Sequence, residues 1–259
     1  MSTTLPTPPT PAVAQAAPGK NGPGRGYLWL SAVQALIKIV VVALFVITFV
    51  VQAFRIPSAS MKNTLLVGDY LLVDKEHFGS SPLFSKLLPY DTIKRDDIIV
   101  FRFPVDPQQH FVKRVIGIPG DRIRLVHSTV FVNGKRLDEP YAIHESSRYD
   151  SYNNDFPDGR YVRPNVEANW YVEMHKLIDE RGELIVPEGY YFVLGDNRDD
   201  SEDSRYWGFV PRENVLGRPL VIYFSINQDE AQGALRRWSD LMEHFPESVR
   251  WGRCLHLVF

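Results

Sequence analysis

The sequence predicts a mainly β protein, an antiparallel β-barrel or folded sheet that follows one N-terminal transmembrane helix and contains few short helices. Three observations predict this fold class. A long apolar run occupies residues 27–54, short segments rich in β-branched and aromatic residues follow it, and turn signals such as Asn133-Gly134 separate those segments. Short strands at close spacing are typical of barrels and of sheets that fold over themselves. The predicted strands are residues 70–74, 97–103, 110–118, 121–126, 129–134, 190–196 and 218–225.

The apolar run is long enough to cross a bilayer, since a spanning helix needs roughly 20 mostly apolar residues. Lys20, Arg25 and Lys38 lie towards its amino-terminal side, so the positive-inside rule predicts a cytoplasmic N-terminus and an external position for the residues after Phe54. A cleavable signal peptide is the alternative, because Val51-Gln52-Ala53 matches the small-residue pattern of a cleavage site.

The rest of the chain divides by composition. Residues 1–26 are rich in proline and glycine and lack apolar periodicity, which predicts a disordered cytoplasmic tail. The strand-like segments lie in residues 55–140 and 187–259, which are therefore predicted to form the β domain. This domain also holds the candidate catalytic residues. Residues 141–186 are more polar and irregular, so they are interpreted as an insertion or a small subdomain.

Composition excludes several classes of function. The formal net charge of the 259 residues is −2, so no cationic field for a polyanion is expected and nucleic acid is not a predicted partner. The single cysteine, Cys254, cannot form an internal disulfide. The histidines are scattered, and no spacing of histidine and cysteine predicts a metal site or a cofactor.

The first segment that suggests chemistry is "PSASMKNTLLVGD", residues 57–69, which follows the apolar run. It contains two candidate nucleophiles, Ser58 and Ser60, and a serine hydroxyl needs a base to become reactive. No histidine is nearby, and neither a G-x-S-x-G nor an S-x-x-K pattern identifies a familiar arrangement.

The second segment is "HFVKRVIGIPGDR", residues 110–122, where two cations interrupt an apolar strand. Side chains alternate along a strand, so Lys113 and Arg114 point to opposite faces and one of them points inward, unless the strand lies at an edge. A desolvated lysine favours its neutral form and can act as a general base. The alternative is that both long side chains extend outward to solvent.

The third segment is "LGDNRDDSEDSRYWGFVP", residues 194–211, in which acidic residues, arginines and serines are concentrated after a strand. Its carboxylates resemble oxygen ligands for calcium, although the spacing is not that of an EF-hand. The alternative is a loop bonded to itself, with carboxylates pairing with Arg198 and Arg205.

Together, in this order after one apolar run, the three segments resemble the signature boxes of the bacterial type I signal peptidases, or leader peptidases. These are membrane-anchored serine peptidases of the Ser-Lys class, and the resemblance implies their fold. "RDDIIVFRFP", "NGKRLDEPY" and "VRWGRCLHLV" are also similar to the family. The likeness covers residues 39–141 and 187–259.

The resemblance implies a role for each matching residue. Ser60 would be the nucleophile that forms the acyl-enzyme, and Lys113 the general base that is neutral because it is buried. Ser58 would offer its hydroxyl to the oxyanion. Lys62 is the alternative base, but its polar surroundings near headgroups favour a charged ammonium.

Four further residues are implied to support this pair. Ser201 would donate or accept a hydrogen bond that orients the Lys113 amine, and Asp203 and Arg205 would pair to hold their loop in place. Met61 would help to cover the substrate site.

Three positions depart from the family pattern. Asn63 stands where the family usually has proline, Asp96 where it usually has glycine, and Asp200 where it usually has asparagine. Asn and Asp tolerate the geometry of tight turns, so Asp96 is expected to be accommodated. Asn63 removes a rigid constraint just after the nucleophile.

The function implied is that of signal peptidase I, a single-pass enzyme of the bacterial cytoplasmic membrane with its catalytic domain on the outer face. Its partners would be exported preproteins, cut after small residues of the A-x-A type, the phospholipid bilayer and the protein translocation machinery. The alternative is a catalytically inactive, membrane-tethered β domain that serves as a binding module of the secretion machinery. Loss of Ser60 or Lys113 would indicate such a module, and both are present.

Overall fold

The computed structural model describes residues 25–45, 51–74, 92–146, 149–158, 163–227 and 247–258. The chain forms two compact units, residues 1–44 and residues 45–259. Residues 1–24 of the predicted tail lie outside the described residues.

The first unit contains most of helix α1 (Arg25–Phe45), which begins slightly before the predicted start at residue 27. Apolar side chains of this helix are exposed, among them Trp29, Leu36 and Ile39. No helix in the described ranges is both long enough and apolar enough to cross a membrane.

The prediction of one helix up to residue 54 is wrong at its carboxyl end, because Val51–Arg55 forms strand β1. This strand pairs in antiparallel register with β2 (Asp69–Asp74). Its backbone groups find their hydrogen-bond partners in a neighbouring strand, which local hydropathy does not reveal. The cleavage-site pattern Val51-Gln52-Ala53 therefore lies within a paired strand.

The described part of the chain contains twelve strands, which confirms the mainly β prediction, and all pairings between these strands are antiparallel. Strands β3 to β12 are Ile98–Arg102, His110–Gly117, Arg122–Val126, Thr129–Val132, Lys135–Arg136, Leu184–Ile185, Tyr190–Leu194, Val210–Pro211, Val215–Ser225 and His256–Leu257. The larger sheet has the order β1-β2-β11-β3-β4-β9-β10, with β12 beside β11, and the smaller one has the order β7-β6-β5-β8.

Local sequence explains the strand ends. Asn133 and Gly134 connect β6 to β7 with φ angles of 54° and 73°, the left-handed conformations that a tight hairpin needs. Within β2, buried and half-buried residues alternate, as expected for a strand with one face towards the core.

Residues 141–186 contribute the short helix α2 (Ser151–Asn154), helix α3 (Ala168–Lys176) and strand β8. Strand β8 pairs with β5, and Trp170 and Met174 of α3 are buried in the same apolar cluster as β5. A second apolar cluster, which includes Ile56, Met61 and Leu71, packs next to the turn that carries Ser60. The short helix α4 (Ser204–Trp207) lies in the third segment.

Candidate active site

Ser60 lies in a single 3₁₀ turn, Ala59–Met61, that follows strand β1. Its side chain is largely buried, and its carbonyl oxygen accepts a hydrogen bond from the backbone N–H of Asn197 at 3.0 Å. The turn is closed by a bond from the Lys62 N–H to the Ala59 carbonyl at 2.9 Å. The main chain around Ser60 is therefore fixed both by its own turn and by the third segment.

Lys113 lies on β4, opposite Ile99 of β3, and is only 4% exposed. Its Nζ donates a hydrogen bond to Ser60 Oγ at 2.6 Å. Burial lowers the pKa of Lys113 to about 8, although the negative charge of Asp203 opposes this shift. A minor but significant share of the amine, about 9% at pH 7, is therefore neutral and able to act as a general base.

Arg114, the neighbour of Lys113, is also buried, so the alternative in which both cations extend to solvent is wrong. Its guanidinium makes two hydrogen bonds of 2.8 Å to the carboxylate of Asp196 and a third to the Asp96 carbonyl. Asp196 also accepts a hydrogen bond from the Thr64 hydroxyl at 2.5 Å. This paired charge links β4 to the turn after Ser60 and was not singled out as a site in the sequence.

Ser58 is exposed and precedes the 3₁₀ turn in an extended conformation. Its Oγ lies 3.4 Å from Ser60 Oγ. A hydroxyl at this distance can donate to an oxyanion that forms when Ser60 attacks a carbonyl.

Ser201 lines the same cleft, but its buried Oγ has no hydrogen-bond partner among the residues that the structure describes. The implied hydrogen bond between Ser201 and Lys113 is therefore absent from this structure. The hydroxyl faces Gly195, where an added Cβ would collide with it and would lie 2.5 Å from the Ser60 carbonyl oxygen. The close approach of the Ser60 main chain and the Ser201 side chain thus requires glycine at this position.

Asp203 and Arg205 form a buried ion pair in which two nitrogens of Arg205 each lie 2.8 Å from an Asp203 oxygen. Burial opposes ionisation of Asp203, but the charge of Arg205 holds the pKa of this carboxyl below its ordinary value. Asp203 also accepts a hydrogen bond from the Gly195 N–H at 3.1 Å. The loop is thus bonded to itself, so Arg205 and the Gly195 N–H satisfy the Asp203 carboxylate without a metal ion.

No group of histidine, cysteine, aspartate and glutamate within the described ranges is arranged to hold a metal ion. The two most buried carboxylates of the third segment, Asp196 and Asp203, are each occupied by an arginine.

The pair of Ser60 and Lys113 opens into a cleft of about 660 Å³. One part of its wall is apolar, and Met61 contributes to it with a side chain that is almost fully buried. The lining also includes Phe54, Ile56, Val100, Phe111 and Val112. The polar part includes Arg163, Asn165, Asp200 and Glu202. The cleft therefore offers both apolar and polar groups to a bound molecule.

A third buried carboxylate, Asp69, anchors the far end of the turn that follows Ser60. Arg253 donates to it at 2.6 and 3.2 Å, and Ser225 donates at 2.6 Å. Arg250 in turn donates to the Ser225 hydroxyl at 2.8 Å and to the Val67 carbonyl. The sequence of this C-terminal stretch resembles the family, but no local pattern reveals contacts between partners so far apart.

Comparisons with known proteins identify the family of this chain. The sequence model of the family described as signal peptidase, peptidase S26, matches residues 29–224. A signal peptidase I of Aquifex aeolicus is 37% identical over 222 residues, covering 73% of this chain and 82% of the relative. A signal peptidase I of Pseudomonas aeruginosa is 32% identical, covering 74% of this chain and 71% of the relative.

A solved signal peptidase I from Enterococcus faecalis is 35% identical, with a TM-score of 0.36, and covers 49% of this chain and 97% of that chain. On the family match and the curated relatives, the chain belongs to the signal peptidase family, peptidase S26, and is a serine endopeptidase.

Proposed function

We propose that this chain is a signal peptidase I that removes N-terminal signal peptides from exported preproteins, with Ser60 as nucleophile and Lys113 as general base. The observation that carries the proposal is the 2.6 Å hydrogen bond between Lys113 Nζ and Ser60 Oγ in a buried setting that lowers the pKa of the amine. Membership of the peptidase family supports the proposed removal of signal peptides.

The reaction begins when neutral Lys113 takes the proton of the Ser60 hydroxyl as Oγ attacks the carbonyl carbon of the scissile bond. The carbonyl oxygen becomes an oxyanion, which accepts hydrogen bonds from the Ser58 hydroxyl and the Ser60 backbone N–H. The Lys113 ammonium then gives its proton to the departing amine, and the C–N bond breaks. The mature protein leaves, and the signal peptide stays on Ser60 as an ester.

Deacylation repeats these proton transfers with water. Lys113 removes a proton from a water molecule, the resulting nucleophile attacks the ester carbon, and the proton returns to Ser60 Oγ as the acid product leaves. Asp203 and Arg205 act as supporting residues that hold the loop beside Lys113, and Ser201 packs in that loop.

Preference for small residues before the scissile bond follows from the cleft. Met61, Ile56 and Val100 are well-packed members of one apolar cluster, so they leave shallow pockets that accept alanine more readily than larger side chains. We therefore infer substrates with sites of the A-x-A type.

We also infer that the apolar run before β1 anchors the protein in the bacterial cytoplasmic membrane, with a cytoplasmic N-terminus. The exposed apolar side chains of α1 support this inference, since lipid is the environment that would cover them. The partners would then be the phospholipid bilayer and the translocation machinery that delivers preproteins. Alkaline extraction of membranes should leave the protein in the pellet, and its release as a soluble protein would contradict anchorage.

The catalytic assignment is tested by incubating a preprotein that carries an A-x-A site with wild type, Ser60→Ala and Lys113→Ala. Both variants should lose cleavage by several orders of magnitude. Lys135→Ala, a change of an exposed lysine on β7, serves as a control that should cleave normally. Near-normal cleavage by Ser60→Ala or Lys113→Ala would refute the assigned pair.

A further inference from the structure

The segment of residues 141–145, here called the brace, lies beside the candidate active site although the function above gives it no role. Ile143 bridges in parallel with Asn197. Its N–H donates to the Asp196 carbonyl at 2.8 Å, and its carbonyl accepts from the Arg198 N–H at 3.0 Å. The brace is therefore fixed to the third segment by its main chain.

Two side chains from the turn after Ser60 reach the brace. Asn63 donates from Nδ2 to the Tyr141 carbonyl at 3.2 Å, and Lys62 forms an ion pair with Glu145. Asn63 has a φ angle of 89°, a left-handed conformation that asparagine tolerates and that the ring of proline cannot adopt. The departure from the family pattern at this position thus supplies a contact that proline could not make.

Glu145 closes a ring of contacts around the nucleophile. While one of its carboxylate oxygens pairs with Lys62, the other accepts from Asn197 Nδ2 at 3.1 Å. The backbone N–H of Asn197 donates to the Ser60 carbonyl. The bonds to Lys62 and Asn197 hold the pKa of the Glu145 carboxyl below its ordinary value, so it is ionised at neutral pH.

The other end of the brace contacts the strand of the base. Tyr141 donates from its hydroxyl to Asp96 at 2.6 Å, and its ring lies 3.8 Å from the guanidinium carbon of Arg114. Arg114 directly follows Lys113 on β4. One short segment therefore contacts both the turn of Ser60 and the strand of Lys113.

We propose that the brace sets the separation of Ser60 Oγ and Lys113 Nζ, and that Glu145 is its positioning residue. The inference rests on the proposed function, since it assumes that Ser60 and Lys113 react together. Positioning of this kind affects the chemical step more than substrate binding, because misplacement of reacting groups by about 1 Å can cost a hundredfold in rate.

A charge exchange tests the proposal in the full-length protein. Glu145→Lys and Lys62→Glu each place like charges together, and each should lower kcat for an A-x-A peptide about tenfold while KM changes less than about twofold. The double variant restores an ion pair, and a flipped Asn197 amide can then accept from the new lysine. It should recover most of kcat.

Glu173→Lys is the matched control, because Glu173 forms an exposed ion pair with Lys176 within α3 and is not among the described residues that line the cleft. It makes the same charge change and should leave kcat unchanged. If circular dichroism shows that Glu145→Lys is unfolded, Glu145→Gln replaces it, with a smaller fall in kcat expected. Unchanged kcat in a folded Glu145 variant, or no recovery of kcat in the double variant, would overturn the proposal that the brace positions Ser60 and Lys113.

Ser60→Ala in the same assay separates this proposal from the one it rests on. If Ser60→Ala still cleaves, the proposed function fails. If Ser60→Ala is inactive and the folded Glu145 variants cleave at the wild-type rate, only the positioning role fails.

Discussion

Cleavage should become about tenfold faster between pH 7 and pH 9, because Lys113 can accept the proton of Ser60 only when its amine is neutral. With a pKa of about 8, the neutral fraction is about 9% at pH 7 and about 91% at pH 9. An exposed lysine would stay almost fully protonated over this range. An amine with the ordinary lysine pKa of 10.5 would give a rise of about a hundredfold over the same range, so the levelling of the rate above pH 8, rather than the rise itself, reports the effect of burying the amine.

The assay is the initial rate of cleavage of an internally quenched peptide with an A-x-A site, measured below KM so that kcat/KM reports the free enzyme. The peptide should carry no group that titrates between pH 6 and pH 10. Asp203→Asn provides a directional check, because the negative charge of Asp203 raises the pKa of Lys113 and its removal should move the inflection to lower pH.

A flat profile, or a single inflection near the ordinary lysine value of 10.5, would refute this account of the base. A shift of the inflection to higher pH in Asp203→Asn would contradict the effect assigned to the Asp203 charge, but not the lowering of the Lys113 pKa by burial. Activity of the control Lys135→Ala should follow the wild-type curve.

Three further outcomes are expected. Gly195→Ala should lower kcat about a hundredfold, measured with the same peptide, because its Cβ would lie 2.5 Å from the Ser60 carbonyl oxygen. Lys113→Met should abolish cleavage yet raise the free energy of unfolding at pH 7, measured in urea, by up to about 3 kcal/mol. Between pH 8 and 10.5 the folded wild-type protein binds fewer protons than the unfolded chain. Below that window the buried, protonated amine therefore destabilises the folded state, and methionine removes this cost. Asp203→Ala should lower the free energy of unfolding by about 3–5 kcal/mol, because it leaves the Arg205 charge buried and unpaired, and an unchanged urea midpoint would contradict this.

Strands were predictable where the pattern is local. The segments that form β2, β3, β4 and β9 either alternate between apolar and polar residues or are continuously apolar, and turn residues bound them. The structure places strands in all four. The end of the apolar run was not predictable in this way. Val51–Arg55 is apolar enough to extend a helix, but pairing with β2 makes it a strand.

The candidate site was predictable as residue types and only partly as contacts. An embedded Lys113 suggested a buried base, and the family resemblance supplied Ser60 as its partner. Contacts that join distant parts of the chain have no local signal: Arg114 and Asp196 are 82 residues apart. Resemblance to a family does not fix individual hydrogen bonds either. The bond implied between Ser201 and Lys113 is not formed, and the Ser201 hydroxyl has no partner in the described part of the chain.

The carboxylate of Asp69 has a consequence for the order of synthesis. Asp69 lies soon after the nucleophile turn, yet the cation that neutralises it, Arg253, is made 184 residues later. Until then the growing chain must leave this acid in water, because burying it alone would be costly. The turn beside Ser60 can therefore close over Asp69 only late in translation, so a nascent chain carries its nucleophile long before it can use it.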